Sequence, residues 1–222
     1  ADGGEVIVWE TGRAGEEAAS YEHLFLRKEI AGFRTNIRRE QSCSIKSLTR
    51  DYLYKQLLSS GEYTFDHMLV IKDPYGEAPL TALALFILEE PACVRVTTKG
   101  NLKETDFVTE LPKKKEHRVP ILGMYAEKAN DIVIEILDDE GNCVKSHTFT
   151  IRTKRLPKSL RNVITVKKWT DKPAYSNIMI NGGVKIHTCV FDIEGKIRYY
   201  LSRKPRGYGI FPLSDGHFFY ME

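Results

Sequence analysis

The stretch Asp73–Phe86, DPYGEAPLTALALF, decides the fold. Its first four residues are a turn signal with a physical basis. Pro74 presets φ at the second turn position, and Gly76 tolerates positive φ. Pro79 biases Ala78 toward extended geometry. The chain then enters LTALALFIL, apolar at nearly every position from Leu80 to Leu88. A run that short and that apolar reads as a strand covered on both faces, or as a buried helical segment. Pro79 and Pro91 on either side, with the β-rich VRVTT that follows, favour the strand. We take it as the central strand of a first domain.

Working outward from it, the hydrophobic period is 2. Candidate strands fall at 68–72, 80–88, 93–99, 106–110, 117–124, 131–137 and 143–153. Ile132, Ile134 and Ile136 alternate with Val133 and Glu135, the pattern of a strand with one buried face. Residues 138–142, DDEGN, are a tight hairpin signal. Several short strands at regular spacing with turn residues between them predict a β-sandwich, and about ninety residues suits one such domain. Lys113–Lys115, flanked by Glu110 and Glu116, reads as a solvated loop guarding a sheet edge rather than as a polyanion patch.

Toward the N-terminus, VIVW (6–9) offers an added strand, and 11–15 reads as a break. Residues 16–30 have helical spacing, with Tyr21, Leu24 and Phe25 on one side and Gly32 as a stop. A second helix is expected from Ser44 or Ser47 to Leu58. Its face is Ile45, Leu48, Tyr52, Leu53, Gln56 and Leu57, and Gly61 follows its end. Beyond the sandwich, RLPKSL (155–160) has the texture of a linker. Strands are then expected at 163–169 and 175–181. Two hairpins follow, 184–201 turning at 192–195 and 207–221 turning at 214–216. The fold class expected is therefore mainly β, in three parts: an N-terminal helical segment (1–60), an immunoglobulin-like β-sandwich (61–157), and the opening strands of a further β domain (158–222).

Composition excludes some classes. The chain has 222 residues and a formal net charge of +3, with Lys and Arg spread along it. A nucleic-acid protein would concentrate a basic face. No apolar stretch approaches the roughly 20 residues a membrane helix needs. The first residues lack the basic start and apolar core of a signal peptide, but the chain begins with Ala, so a leader already removed stays open. Cys43, Cys93, Cys143 and Cys189 are singly spaced, with no CxxC or Cys/His cluster to predict a zinc site. Isolated thiols are the plain reading, and a Cys93–Cys143 disulfide stays open.

Three blocks, with the stretch 211–222 in addition, carry a family resemblance. GEYTFDHMLVIKDPYGEAPLTALALF (61–86), continued by EEPACVRVTTKG (89–100), then HRVPILGMY (117–125), resemble the N-terminal domain of the bacterial aryl sulfotransferases of the arylsulfate type. FDIEGKIRYYL (191–201) and FPLSDGHFFYME (211–222) resemble the hairpins that open that family's β-propeller, with Tyr199 where the family usually has Trp. The likeness covers about Leu57 to Glu222, and the first fifty or so residues lie outside it. The resemblance implies a periplasmic or extracellular enzyme that moves a sulfuryl group from a phenolic sulfate ester to a phenol. The carrier is a propeller histidine, and no cofactor is needed. In that family the first such histidine follows the hairpin that here ends at Glu222. No catalytic residue is therefore carried over, and the chain alone is expected to be inactive. An opening blade that cannot close predicts a homo-oligomer. The competing reading is a non-catalytic β-sandwich that binds or assembles with another protein.

Among the histidines, His117 with Arg118 is the one pair whose residue types suit an anion. His23, His67, His147, His187 and His217 read as packed or surface residues. Gly182-Gly183 is a turn, not a phosphate loop, since no GKS/T follows.

Overall fold

The structure, a computed structural model, describes residues 4–22, 24, 38–167, 177–180, 187–203, 210–212 and 218–220. The elements are β1 (Glu5–Trp9), α1 (Thr11–Ala19), α2 (Arg38–Ser59), β2 (His67–Lys72), β3 (Ala82–Thr98), β4 (Phe107–Ile121), β5 (Ala129–Leu137) and β6 (Cys143–Arg152). They are followed by β7 (Asn177–Ile180), β8 (Cys189–Asp192), β9 (Ile197–Tyr200), β10 (Ile210–Pro212) and β11 (Phe218–Tyr220).

β3 organises the main sheet. Its first residues pair with β2, from Leu69 opposite Leu85 to Lys72 opposite Ala82. Its last residues pair with β5, from Cys93 opposite Leu137 to Thr98 opposite Ile132. On its other edge β4 runs along both parts, and the register breaks between Ile87 and Ala92. The two halves share one core. Met68, Val70, Ala84, Phe86 and Val119 from the first half meet Val94, Val96, Ile132, Ile134 and Ile151 from the second. The result is a β-sandwich in which the β3–β4 hairpin passes from one layer to the other through an irregular bend. Residues 80–88 and 93–99 thus belong to one strand rather than two, as do 106–110 and 117–124. Pro91 lies at the break in the ladder, a position where its missing N–H costs no ladder bond. Lys113–Lys115 are not a loop but exposed positions of β4.

The other face of β2 and β3 is covered as well, which is why LTALALFIL is apolar throughout. Leu69, Ile71, Leu83 and Leu85 pack against Trp9, Ala14, Ala18, Leu53, Tyr54 and Leu58. β1 pairs in parallel with β2, and the two helices make the crossover that a parallel pair requires. β1, α1 and the last turns of α2 therefore pack on the sandwich rather than standing apart from it.

Both helices differ in detail from expectation. α1 begins at Thr11, where a break was expected. Its buried residues are Ala14 and Ala18, and a Cβ on Gly15 would meet Arg50 at 3.1 Å, so small residues let α1 lie close to α2. Residues 25–30, the C-terminal part of the helix expected at 16–30, lie outside the described residues. α2 starts earlier than expected, at Arg38, and its buried side chains include Thr49, Leu53, Tyr54 and Leu58, while Leu48 is exposed. The inward face is rotated from the expected one because Tyr54 turns in to a hydrogen-bond acceptor.

Beyond the sandwich, β7, β8 and β9 form a three-stranded antiparallel sheet, and β10 pairs with β11. No strand is present at 163–167; residues 168 and 169 lie outside the described residues, as do the turn at 214–216 and Gly182-Gly183. Leu160, in the stretch read as a linker, is buried in the sandwich core with Cys189, Phe191, Ile197 and Tyr200. The apolar side chains of the β8–β9 hairpin are thus covered within one chain.

Cys93, Cys143 and Cys189 are free thiols. Leu137 of β5 stands between Cys93 and Cys143 in the ladder. Two strand spacings of about 4.8 Å each exceed the Cα separation a disulfide spans. Cys43 lies in a part of α2 whose side chains are outside the described residues.

Candidate functional site

Parts of the 61–86, 117–125 and 191–201 blocks meet where the β8–β9 hairpin docks on the sandwich. The hairpin turn is made by Asp192. Its Oδ1 accepts the backbone N–H groups of Glu194 and Lys196, each at 3.0 Å. Gly195 closes the turn at φ 76°, a conformation that favours glycine. The other oxygen, Oδ2, points into the sandwich and accepts the Tyr125 hydroxyl at 2.8 Å.

Arg198, one strand on, enters the same interior. Its Nε donates to the Gly123 carbonyl at 2.5 Å, and its Nη1 donates to the Thr105 carbonyl at 2.8 Å and to Tyr125 Oη at 2.9 Å. Nη1 also stands 3.4 Å from Asp192 Oδ2, and the guanidinium lies 4.0 Å over the Tyr125 ring. Arg198 is 1% and Asp192 0% exposed, so this is a buried ion pair whose charges are met by hydrogen bonds on most sides. Among the described residues Arg198 Nη2 has no hydrogen-bond partner. Tyr125 Oη also accepts the Asn101 N–H at 3.1 Å. Burial raises the pKa of the Tyr125 phenol, opposed by its hydrogen bonds with Thr105 and Asn101 and by the Arg198 charge.

The third of these blocks reaches the same joint. The Ser202 N–H donates to the Glu77 carbonyl at 2.7 Å, and Arg203 pairs with the Glu77 carboxylate at 2.7 Å. The turn at Asp73–Gly76 is held from the opposite side by α2. Arg50 Nη1 donates to the Pro74 carbonyl at 2.8 Å, and the Tyr54 hydroxyl donates to the same oxygen. Burial raises the Tyr54 pKa well above the ordinary phenol range. Tyr75 donates to Asp51 at 2.6 Å, and its pKa is pushed up to about 12, chiefly by burial.

His117 and Arg118 do not converge on one ligand. They are successive residues of β4 and face opposite sides of the sheet. His117 lies in the sandwich interior, its ring stacked on Phe86 at 5.4 Å and its Nε2 2.9 Å from the Lys114 carbonyl. Arg118 lies on the helix side, with Nη2 2.6 Å from Asp51 and 3.0 Å from the Tyr75 hydroxyl. His187 Nδ1 is 2.7 Å from the Leu201 carbonyl, and His67 pairs with Glu5 at 3.1 Å. His147 is buried between Phe65 and Phe149. His23 and His217 lie outside the described residues. Among the described residues no three His, Cys, Asp or Glu side chains converge as metal ligands would. No helix there is long and apolar enough to cross a membrane.

Residues 69–154 match the family model described as the arylsulfotransferase Ig-like domain. Over this segment the chain is similar to the Ig-like domain of the arylsulfotransferases. A search among curated proteins found no match. The matched segment spans β3, β4, β5 and β6 and carries Gly123 and Tyr125; Asp192 and Arg198 come from beyond it. The sequence reading missed this joint. Its one signal was an arginine between Ile197 and the Tyr199–Tyr200 pair in a short strand, where an exposed charge would be the ordinary expectation.

Proposed function

We propose that this chain is the N-terminal part of an arylsulfotransferase, in which the Ig-like sandwich carries and orients the first strands of a β-propeller. The reaction is transfer of a sulfuryl group from a phenolic sulfate ester to a phenol through a propeller histidine, and it takes place in the periplasm or outside the cell. The observation that carries this reading is the match of residues 69–154 to the arylsulfotransferase Ig-like domain. The docking of the β8–β9 hairpin supports it: a buried Arg–Asp pair holds the next part of the chain in one orientation on the sandwich. An imidazole nucleophile divides such a transfer into two steps, and fixed cationic groups stabilise the charge that develops on the sulfate oxygens.

Self-association belongs to the same reading. β7 and β9 end their sheet among the described residues, and open strand edges favour pairing with another copy. Solution mass of the whole chain across a concentration series checks this part.

The test of the activity is release of phenol from an aryl sulfate in the presence of a second phenol. It is run on the protein encoded by the complete gene and on residues 1–222 alone. Transfer by the complete product with none by residues 1–222 is the expected result. Transfer by residues 1–222 that disappears on changing His117 or His187 overturns the assignment of chemistry to the propeller. Absence of transfer by both favours an assembly module instead.

A further inference from the structure

At the bend of β3 the two layers of the sandwich open into a cleft of about 750 Å³. Its apolar lining comes from Phe65, Leu88, Ala92, Ile136 and Val144. Its polar lining is mostly acidic: Asp66, Glu89, Glu90, Asp138, Asp139 and Glu140. Lys113 and Lys145 are the cations lining it, and both are already committed. Lys145 Nζ lies 2.6 Å from Asp66, and Lys113 pairs with Asp139. Glu89, Glu90, Asp138 and Glu140 have no cationic partner among the described residues. Asp138 is held ionised by the backbone N–H of Asn142 at 2.7 Å and that of Glu140 at 3.1 Å.

Two further observations concern the shape of an occupant. β6 is the last strand of its sheet, and among the described residues nothing pairs with its outer edge. Val144, on that strand and at the cleft, is 67% exposed, more than any other large apolar side chain described. In addition, Leu88–Pro91 have no partner in the ladder on either side of β3. The site therefore offers apolar surface, unpaired backbone and uncompensated negative charge together.

We propose that this cleft binds an extended segment of a partner protein in which lysine or arginine alternates with apolar residues, added as a strand along β6. In a strand every second side chain points to the same face. Such a segment lays its apolar residues over Val144 and Ile136 and turns its cations toward Glu89, Glu90 and Glu140. Its backbone takes up the open edge of β6, the mode in which main-chain bonds supply affinity and alternate side chains supply specificity. Charge complementarity selects the partner: a sulfate ester, a phosphate or a nucleic acid meets like charge here. A small organic cation leaves the strand edge unmet. The proposal stands independently of the sulfotransferase reading, because the cleft lies away from the hairpin joint.

The test uses the whole chain and a fluorescein-labelled acetyl-Lys-Val-Lys-Val-Lys-Val-Lys amide, followed by anisotropy. Saturable binding is expected. It should weaken with added salt and fall by about tenfold or more in Glu89→Lys/Glu90→Lys. It should fall comparably for a peptide of the same composition with its lysines and valines in separate blocks. Glu127→Lys, on the surface elsewhere, should bind as the parent does. Thermal melts of each variant confirm that the fold is kept. Absence of binding, equal binding of the two peptides, or binding unchanged in the Glu89/Glu90 variant overturns the proposal. A dimer of the chain alone that dissociates in the Glu89/Glu90 variant identifies a second copy as the occupant and likewise overturns it.

Discussion

Arg198 and Asp192 are both withdrawn from solvent, with Arg198 Nη1 3.4 Å from Asp192 Oδ2 and the Tyr125 hydroxyl hydrogen-bonded to both. Removing one charge from such a pair leaves the other buried without compensation, at a cost of about 3–5 kcal/mol. Arg198→Met should therefore lower the unfolding free energy by that order. Arg198→Met with Asp192→Asn should recover part of the loss, since Asn retains an oxygen for the turn N–H groups. Urea unfolding of the single and double variants measures this. A loss below about 1 kcal/mol in the single variant sinks the idea that this pair locks the hairpin to the sandwich.

Gly123 should also resist substitution, for a reason of backbone rather than charge. It sits at φ 76°, and a Cβ there would fall 2.7 Å from Phe107 Cβ. Its carbonyl is also the acceptor for Arg198 Nε. Gly123→Ala is expected to cost about 1–3 kcal/mol through strain and to loosen the hairpin with it. Amide exchange read at residues 189–200 should quicken in this variant. Unchanged exchange there, alongside a destabilised sandwich, separates local strain from the joint.

How much of this was legible in the sequence differs from element to element. β3 was, because even positions from Ala82 to Phe86 face the sandwich and odd positions face the helices, so both parities had to be apolar. Strand continuity was not. Glu89-Glu90-Pro91 interrupts the apolar pattern at the bend, and a bend and a chain break leave the same mark on a sequence. The α2 face was misjudged because Tyr54 is buried for its hydroxyl as much as for its ring, and spacing rules weigh only the ring. His117 with Arg118 matched an anion site by residue type, while the strand period sends neighbours to opposite faces. Arg198 was the least legible: its acceptors lie on Gly123, Thr105, Tyr125 and Asp192, and a single sequence does not bring them together.

The contact between α2 and the Asp73–Gly76 turn yields a smaller, graded effect. The Pro74 carbonyl accepts from both Arg50 and Tyr54. Tyr54→Phe keeps the ring in its cluster and leaves Arg50 on the carbonyl, so the expected cost is about 1 kcal/mol. Tyr54→Ala also empties a fully buried site and should cost about 3–5 kcal/mol. Denaturant midpoints for the two variants give the comparison. Equal losses would mean that the hydroxyl, not the ring, supplies most of the contact.

His117 sets a pH dependence whose sign follows from its burial. Its ordinary value is 6.5; burial lowers it in the fold, the Lys114 charge lowers it further, and the Lys114 and Ala92 carbonyls oppose. With the folded value depressed, the unfolded chain takes up this proton first as the pH falls. The contribution to stability is therefore fully present above about pH 6.5 and is lost as the pH falls through that value toward the folded one. His117→Phe keeps the stack on Phe86, removes the titration, and leaves the Lys114 carbonyl without this partner, a roughly constant loss of about 1–3 kcal/mol. Stability measured by urea at intervals from about pH 8 to about pH 5 should then fall more steeply for the parent than for His117→Phe, the two curves converging in acid. The carboxylates are the same in both proteins and cancel in the difference. Parallel curves through this range would show that His117 titrates alike in the folded and unfolded chains, and that its burial carries no pH dependence.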